Sequence, residues 1–238
     1  MYRLVVKTEQ IKKEQIKLDV RQLHYLLRVV RLGNGDRFLA LDGTGNCWLA
    51  EIDNDAAKII EAVEIKTELS VSLNLITALP KGSGYEQILR CCTELGVSNF
   101  IPVISDRTIL KPKQNKVERW RKIVIEAAEQ SERQIVPSIF EPVKFDWAIA
   151  QTKATKNKYI CVARGDIPTL WHSMSDRIQS EITIATGCEG GWTDNEVELA
   201  IALGFQPVSL GKRILRAITA PIVASSLVAA KLEQTHHQ

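Results

Sequence analysis

The sequence predicts an α/β protein, with a largely parallel sheet from about residue 71 onward preceded by a small β-rich unit that holds one helix. Three observations carry this. After residue 71, short apolar runs alternate with helix-period patterns, the signature of βα units and a parallel sheet. Before it, short strands are separated by Gly/Asn/Asp turns, as in Asp42-Gly43-Thr44-Gly45-Asn46. The 238 residues are 45% hydrophobic and 25% charged, which matches an ordinary globular protein and excludes a disordered chain.

The elements follow in order. Residues 2–6 read as a strand, and Asp19 caps a helix over 20–32 that Gly33-Asn34-Gly35-Asp36 stops. Strands at 37–41 and 47–52 flank the 42–46 turn, with another at 61–65. Residues 71–78 form a buried strand and 84–95 a helix with Tyr85, Ile88, Leu89, Cys92 and Leu95 on one face, closed by Gly96. Further strands fall at 100–104, 159–163, 181–185 and 206–210, and helices at 117–131, 195–203 and 220–231. Residues 134–158 are irregular enough for a long connection. The expected domains are 1–70 and 71–238. There is no internal repeat.

No apolar stretch approaches the roughly 18 residues that span a bilayer, and the opening residues lack the apolar run of an export signal. Five cysteines without a Cys-x-x-Cys pair argue against a disulfide framework or a zinc site and predict a cytoplasmic protein without a bound metal. The net charge of +3 is unevenly spread. Residues 1–37 carry nine Lys/Arg against four Asp/Glu, whereas 38–70 carry two against seven.

Four segments are candidates for chemistry. Thr186-Gly187-Cys188-Glu189-Gly190-Gly191-Trp192-Thr193 follows a strand and precedes a helix, with Thr193 and Glu196 forming a capping box. Its glycines permit close backbone approach to a ligand, at the strand ends where open α/β sheets bind. A plain glycine-rich turn is the competing reading, and the spacing is not that of a dinucleotide fingerprint. Ser209-Leu210-Gly211-Lys212-Arg213-Ile214-Leu215-Arg216 sets three cations beside a glycine after a strand, suited to an anionic ligand or RNA. Leu79-Pro80-Lys81-Gly82-Ser83-Gly84 is no nucleotide loop, because Lys81 precedes both glycines. Arg21, His24, Arg28 and Arg31 share one helix face opposite Val20, Leu23, Leu27 and Val30, a ridge able to follow a phosphate backbone or a plain charged exterior. No histidine relay is evident: His24 lies on the ridge, His172 is isolated, and His236 and His237 sit in a tail expected to be mobile. Cys91 and Cys92 fall within a helix and read as core.

Taken together, Ala78-Leu79-Pro80-Lys81-Gly82, Thr93-Glu94-Leu95-Gly96-Val97, Ala127-Ala128-Glu129-Gln130-Ser131 with Arg133, Gly187-x-Glu189-Gly190-Gly191 and Leu210-Gly211-x-Arg213-Ile214-Leu215-Arg216 resemble the RsmE-type ribosomal RNA uridine-N3 methyltransferases of the SPOUT class. The resemblance implies an α/β domain with a C-terminal trefoil knot, a PUA-like β-barrel at the N-terminus, and a homodimer. It also implies S-adenosylmethionine as cofactor and small-subunit (16S) ribosomal RNA, free or in the assembled subunit, as partner. The loops at 163–165, 186–191 and 210–216 would wrap the cofactor through Ala163, Thr186, Gly187, Gly190, Gly191, Leu210, Gly211, Ile214 and Leu215. Arg216 would stabilise the uracil anion, and Glu189 would orient the loop or accept a proton. Arg21, Arg28, Arg31, Lys81, Arg133 and Arg213 would contact RNA.

Two positions depart from the family. Cys188 stands where a proline is usual, which loosens the loop's preset geometry, and Ile218 stands where a glutamate is frequent, which removes a candidate base. A non-catalytic RNA-binding or ribosome-assembly protein is the alternative. A nucleotide-dependent oxidoreductase lacks its fingerprint.

Overall fold

The computed structural model describes residues 1–110, 114–152, 154–175, 178 and 180–234; His236 and His237 lie outside them. The chain divides into two compact units, one of Met1–Glu68 with Ala128–Val136, the other of Leu69–Ala127 with Pro137–Gln238.

The first unit is a six-stranded sheet. Its strands are β1 (Arg3–Val5), β2 (Ile11–Lys12), β3 (Gln15–Lys17), β4 (Arg37–Leu41), β5 (Cys47–Asp53) and β6 (Ala56–Ala62), in the order β1-β4-β5-β6-β3-β2. Only β1 and β4 pair in parallel. Strand alternation sends Phe38 and Ala40 of β4 into one apolar cluster with Leu4, Ile16 and Leu26, and Leu39 and Leu41 into another with Cys47. The strand expected at 61–65 lies earlier, because Asn54, at φ 57°, turns the chain directly back from β5 into β6.

The N-terminal helix differs most from expectation. Asp19 does cap it, and Asp19 and Gln22 exchange backbone bonds at 2.8 and 2.9 Å. The α-helical part, α1, spans only Val20–His24, and Tyr25–Val29 continues as a π-helical turn closed by Val30 N–H on the Tyr25 carbonyl at 2.9 Å. The wider turn rotates every later side chain off the 3.6-residue period. Leu26 is the fully buried residue there, while Leu27, assigned to the apolar face, is 38% exposed; Val20, also assigned to that face, opens the helix before the π turn and is 83% exposed. Arg31 lies beyond the helix in left-handed backbone, so it does not extend the ridge of Arg21, His24 and Arg28.

In the second unit, β7 (Leu73–Ala78), β8 (Asn99–Ile104), β9 (Ser138–Ile139), β10 (Val143–Lys144), β11 (Asn157–Cys161), β12 (Ile182–Thr186) and β13 (Gln206–Val208) form a parallel sheet. Its order is β10-β8-β7-β12-β11-β13, with β9 beside β8. Every residue of β7 and β12 is buried, as strands covered on both faces require. Helices α2 (Gly84–Glu94), α3 (Gln114–Gln130), α4 (Phe145–Ala150), α5 (Leu170–Ser173), α6 (Asp194–Ala202) and α7 (Thr219–Gln234) complete it. Phe145 and Ala148 of α4 and Ala200 of α6 pack with Ile76, Val103, Ile160 and Ala185 from the strands. Both expected stop glycines are left-handed, Gly96 at φ 88° and Gly204 at φ 85°. Each follows its helix with the next amide bonded back into the last turn at 3.0 and 2.9 Å. Residues 134–158, read as irregular, hold β9, β10 and α4, elements too short to show a period.

Candidate functional site

A parallel sheet ends all its strands at one edge, so the loops that leave those ends converge. Four of them wall one cavity of about 530 Å³. Arg107 follows β8, Val162 to Arg164 follow β11, Gly187 to Trp192 follow β12, and Leu210, Gly211, Arg213 to Leu215 and Ala217 follow β13. Val197 of α6, Ala220 of α7, Cys161 and Asp194 complete the wall.

Eight of the nine residues assigned to the cofactor line it: Ala163, Gly187, Gly190, Gly191, Leu210, Gly211, Ile214 and Leu215. Thr186 is the exception. It is fully buried inside the sheet and its hydroxyl donates to Thr77 Oγ1 at 3.3 Å, so it supports the loop from behind. Arg213, assigned to RNA, stands in the cavity wall. Ile214 is 66% exposed there, an apolar surface that a ligand would cover.

The glycine-rich loop is held on several sides. Gly191, at φ 68°, returns its amide to the Cys188 carbonyl at 2.9 Å, which closes a tight turn. Gly187 is crowded by backbone: an added Cβ would stand 3.1 Å from Gly191 Cα and 3.2 Å from its carbonyl carbon, so the turn would have to give by a few tenths of an ångström. Cys188 is buried with the core, its sulfur 3.8 Å from Ser105 Oγ. The loop thus has tertiary anchors where the family's proline would have supplied local stiffness. Thr193 and Glu196 form the expected capping box, with the Glu196 carboxylate accepting from Thr193 N at 2.8 Å. Trp192 stacks on Phe145 with ring centroids 4.3 Å apart.

Glu189 lines the cavity, and its carboxylate accepts the Lys81 backbone N–H at 3.0 Å. This ties the loop of residues 79–84 to the glycine-rich loop, an orienting role. The Lys81 side chain is exposed. Arg216 lies outside the cavity lining, exposed, with its carbonyl accepting from the Thr219 and Ala220 amides at the start of α7. Ile218 serves packing: its Cδ1 lies 2.9 Å from where a Gly84 Cβ would be, over the bare start of α2.

Arg21, Arg28 and Arg31 are exposed on the first unit. Arg133 is not available to RNA. Its side chain is 3% exposed and paired to Glu68 at 2.6 Å, because the Ala128–Val136 segment belongs to the first unit and packs there. Burial pushes the thiols of Cys92 and Cys161 up to about 12, so both stay protonated at neutral pH and neither is a thiolate nucleophile. The His172 ring is engaged with Thr169 Oγ1 at 2.7 Å. Among the described residues no group of His, Cys, Asp and Glu could hold a metal ion, and no helix is long and apolar enough to cross a membrane.

Sequence reasoning missed Arg107. Arg107 had one usable signal, its place three residues beyond a parallel strand.

Gly187→Ala is expected to weaken ligand binding in this cavity more than Gly191→Ala. At Gly191 only the left-handed backbone is strained, by roughly 1–2 kcal/mol, and nothing lies within 4 Å of an added Cβ. At Gly187 the obstacle is backbone on the other side of the same turn, so the turn must open. Calorimetric affinities of the two variants for S-adenosylmethionine check the order; equal losses would mean that backbone conformation, not closure of the turn, governs the site.

A parallel α/β sheet whose strand-end loops wall a glycine-lined cavity defines a domain able to bind a small molecule at its strand ends. The RNA methyltransferase domain model matches residues 67–229 and the RNA methyltransferase PUA domain model matches residues 18–62. The chain belongs to this RNA methyltransferase family. It is 50% identical to ribosomal RNA small subunit methyltransferase E of Synechocystis sp. over 237 residues, 98% of this chain and 78% of that one. It is 30% identical to the Bacillus subtilis protein of that name, over 94% of this chain and 95% of the other. Among solved structures it is similar to ribosomal RNA small subunit methyltransferase E from Neisseria gonorrhoeae bound to S-adenosyl methionine, with a TM-score of 0.88, 28% identity and 97% of each chain covered.

Proposed function

We propose that this chain transfers a methyl group from S-adenosylmethionine to N3 of a uridine in 16S ribosomal RNA of the small subunit. The carrying observation is the cavity of about 530 Å³ at the strand ends, where bare backbone at Gly187, Gly190 and Gly191 meets apolar Leu210, Ile214 and Leu215. That volume suits a nucleoside-sized ligand. The mixed wall fits the cofactor's parts: apolar surface for the adenosine, the Glu189 and Asp194 carboxylates for cationic groups, and arginines for a carboxylate.

The bound cofactor supplies an already activated methyl group, so the protein's own task is alignment and electrostatics. Glu189, held by the Lys81 amide, fixes the loop. N3 lies on the Watson–Crick edge, so the target uridine enters unpaired or flipped outward. Its N3–H proton must pass to water before the ring nitrogen can attack, and Arg216 stabilises the resulting charge on the uracil carbonyl oxygens. Arg213, in the cavity wall, and Lys81, beside the glycine-rich loop, contact the RNA near the reacting base.

The domains act as residues 1–70, a PUA-like barrel that binds RNA, and residues 71–238, the methyltransferase domain. Arg21 and Arg28 follow the phosphate backbone along the exposed helix face, and Arg31, off that ridge, makes a separate RNA contact. A C-terminal trefoil knot belongs to this reading through the family resemblance; Ser209, just past β13, pairs with the segment that follows β11, through Ser209 N–H on the Pro168 carbonyl and Leu170 N–H on the Ser209 carbonyl, both at 2.9 Å. The protein acts in the cytoplasm as a homodimer, with half-buried Ile222, Val223 and Leu227 of α7 completing their burial against a second copy.

The test is transfer from radiolabelled S-adenosylmethionine to unmethylated small subunits and to naked RNA, with the methylated base identified in the product. Label at N3 of a uridine is expected. RNA binding without transfer would return the protein to a non-catalytic assembly role. Replacing Arg21 and Arg28 together should weaken RNA binding and flatten its salt dependence by about one unit of slope for each phosphate no longer neutralised, while affinity for S-adenosylmethionine stays unchanged. If affinity for RNA and salt slope both hold, the exposed ridge is only a solvated face.

A further inference from the structure

We infer that Arg107 is a positioning residue that sets the conformation of the glycine-rich loop, and that cofactor affinity depends on it; the second part rests on the methyltransferase reading above. Arg107 belongs to a short turn after β8, residues 105–108, closed by Thr108 N–H on the Ser105 carbonyl and by Ser105 N–H on Thr108 Oγ1, both at 3.0 Å.

Ser105, Asp106 and Arg107 of this turn all hold the loop after β12. Arg107 Nη1 donates to the Gly190 carbonyl at 2.6 Å and to the Trp192 carbonyl at 3.0 Å. One cationic nitrogen thus bridges the two carbonyls on either side of Gly191, the residue in left-handed backbone. The Arg107 stem fills the space beside Gly190, where an added Cβ would stand 3.0 Å from both Cβ and Cδ of the arginine. Asp106 accepts from Thr193 Oγ1 at 3.1 Å and gives its amide to Glu196 Oε1 at 3.0 Å, which anchors the downstream end of the loop. Ser105 meets the Cys188 sulfur at 3.8 Å, near the upstream end.

A charge-assisted bond is roughly twice as strong as a neutral one, and carbonyls aimed at a cation cannot turn into the cavity. The loop therefore presents the same face whether or not a ligand is bound, which lowers the ordering cost of binding. This also gives Gly190 a reason beyond ligand approach, since a side chain there would displace the clamp.

Hydrogen exchange across residues 187–193 in the ligand-free protein tests the inference directly, read alongside affinity for S-adenosylmethionine. The Gly191 amide, on the Cys188 carbonyl, and the Thr193 amide, on Glu196, are the ones to follow. In Arg107→Ala they should exchange faster, and affinity should fall on the order of ten- to hundred-fold, the size of a lost hydrogen bond to a charged group. Arg107→Lys, which keeps the charge and most of the stem, should restore protection and affinity in part. Wild-type exchange in Arg107→Ala would overturn the positioning role. Should Arg107→Ala fail to fold, Arg107→Lys decides alone, and unaltered exchange and affinity there count against the inference. A wild-type protein that does not bind S-adenosylmethionine would defeat the methyltransferase reading, while the exchange result still judges Arg107.

Discussion

Glu68→Ala should lower the unfolding free energy by about 3 kcal/mol, the low end of the cost of removing one partner from a buried ion pair. The low end applies because the Glu68 side chain keeps 20% exposure while that of Arg133 keeps 3%. The carboxylate receives Arg133 Nη2 at 2.6 Å and Nε at 3.1 Å on one oxygen, and the Gln134 and Ile135 amides, both at 3.0 Å, on the other. Alanine therefore removes the carboxylate from a buried guanidinium and from two backbone donors together. Arg133→Met in the Glu68→Ala background should recover part of the loss, because it removes the buried charge but leaves the Gln134 and Ile135 amides without the carboxylate. Chemical denaturation of the two variants checks both values. A single-variant loss below about 1 kcal/mol, the range of exposed pairs, would mean that the site is effectively solvated.

The second large effect is expected at Arg216. Lysine keeps the charge but loses the planar fork that can reach a uracil oxygen and a phosphate together. Arg216→Lys should slow single-turnover transfer, at saturating S-adenosylmethionine and small subunit, by on the order of 10²-fold, as the loss of a donor to developing negative charge does. RNA affinity should change far less. The position suits the role: Arg216 is exposed beside cavity residues Leu215 and Ala217, and the side chain two residues on, Ile218, carries no charge to neutralise it. Its backbone carbonyl, which supports the start of α7, is kept in both Lys and Ala variants, so a rate change reports on the guanidinium. If Arg216→Ala and Arg216→Lys both transfer at the wild-type rate, Arg216 only places the RNA.

Local signals located most elements and most of the cavity. The Asp19 and Thr193 caps marked the first turns of α1 and α6, and Gly96 and Gly204 the exits of α2 and α6, because each acts on backbone groups within one turn of itself. The glycine-rich and basic loops stood out for the same reason, as special residues directly after a strand. The π-helical turn at Tyr25–Val29 was illegible: it arises where Leu26, not Leu27, fits the core of the first unit, and a 3.6-residue pattern contains no mark of it. The short strands β2, β3, β9 and β10 were illegible too, since their pairing partners, not their own two or three residues, define them.

Side-chain roles divided along the same line. Residue types and their neighbours along the chain were enough to mark the glycine-rich and basic loops as candidates, and the family resemblance added Leu210 and Ile214 as cofactor contacts; Gly187, Gly190, Gly191, Leu210 and Ile214 all line one cavity. Arginines were not decided that way, because a guanidinium on a long stem takes its meaning from whatever the fold brings near it. The resemblance sends Arg133 to RNA, and the sequence assigns Arg107 no role. Tertiary structure set one against Glu68, 65 residues away, and the other against Gly190, 83 residues away. Periodicity and capping act over a few residues, whereas the partner of a charge is settled by where parallel strands end and which loops they bring together.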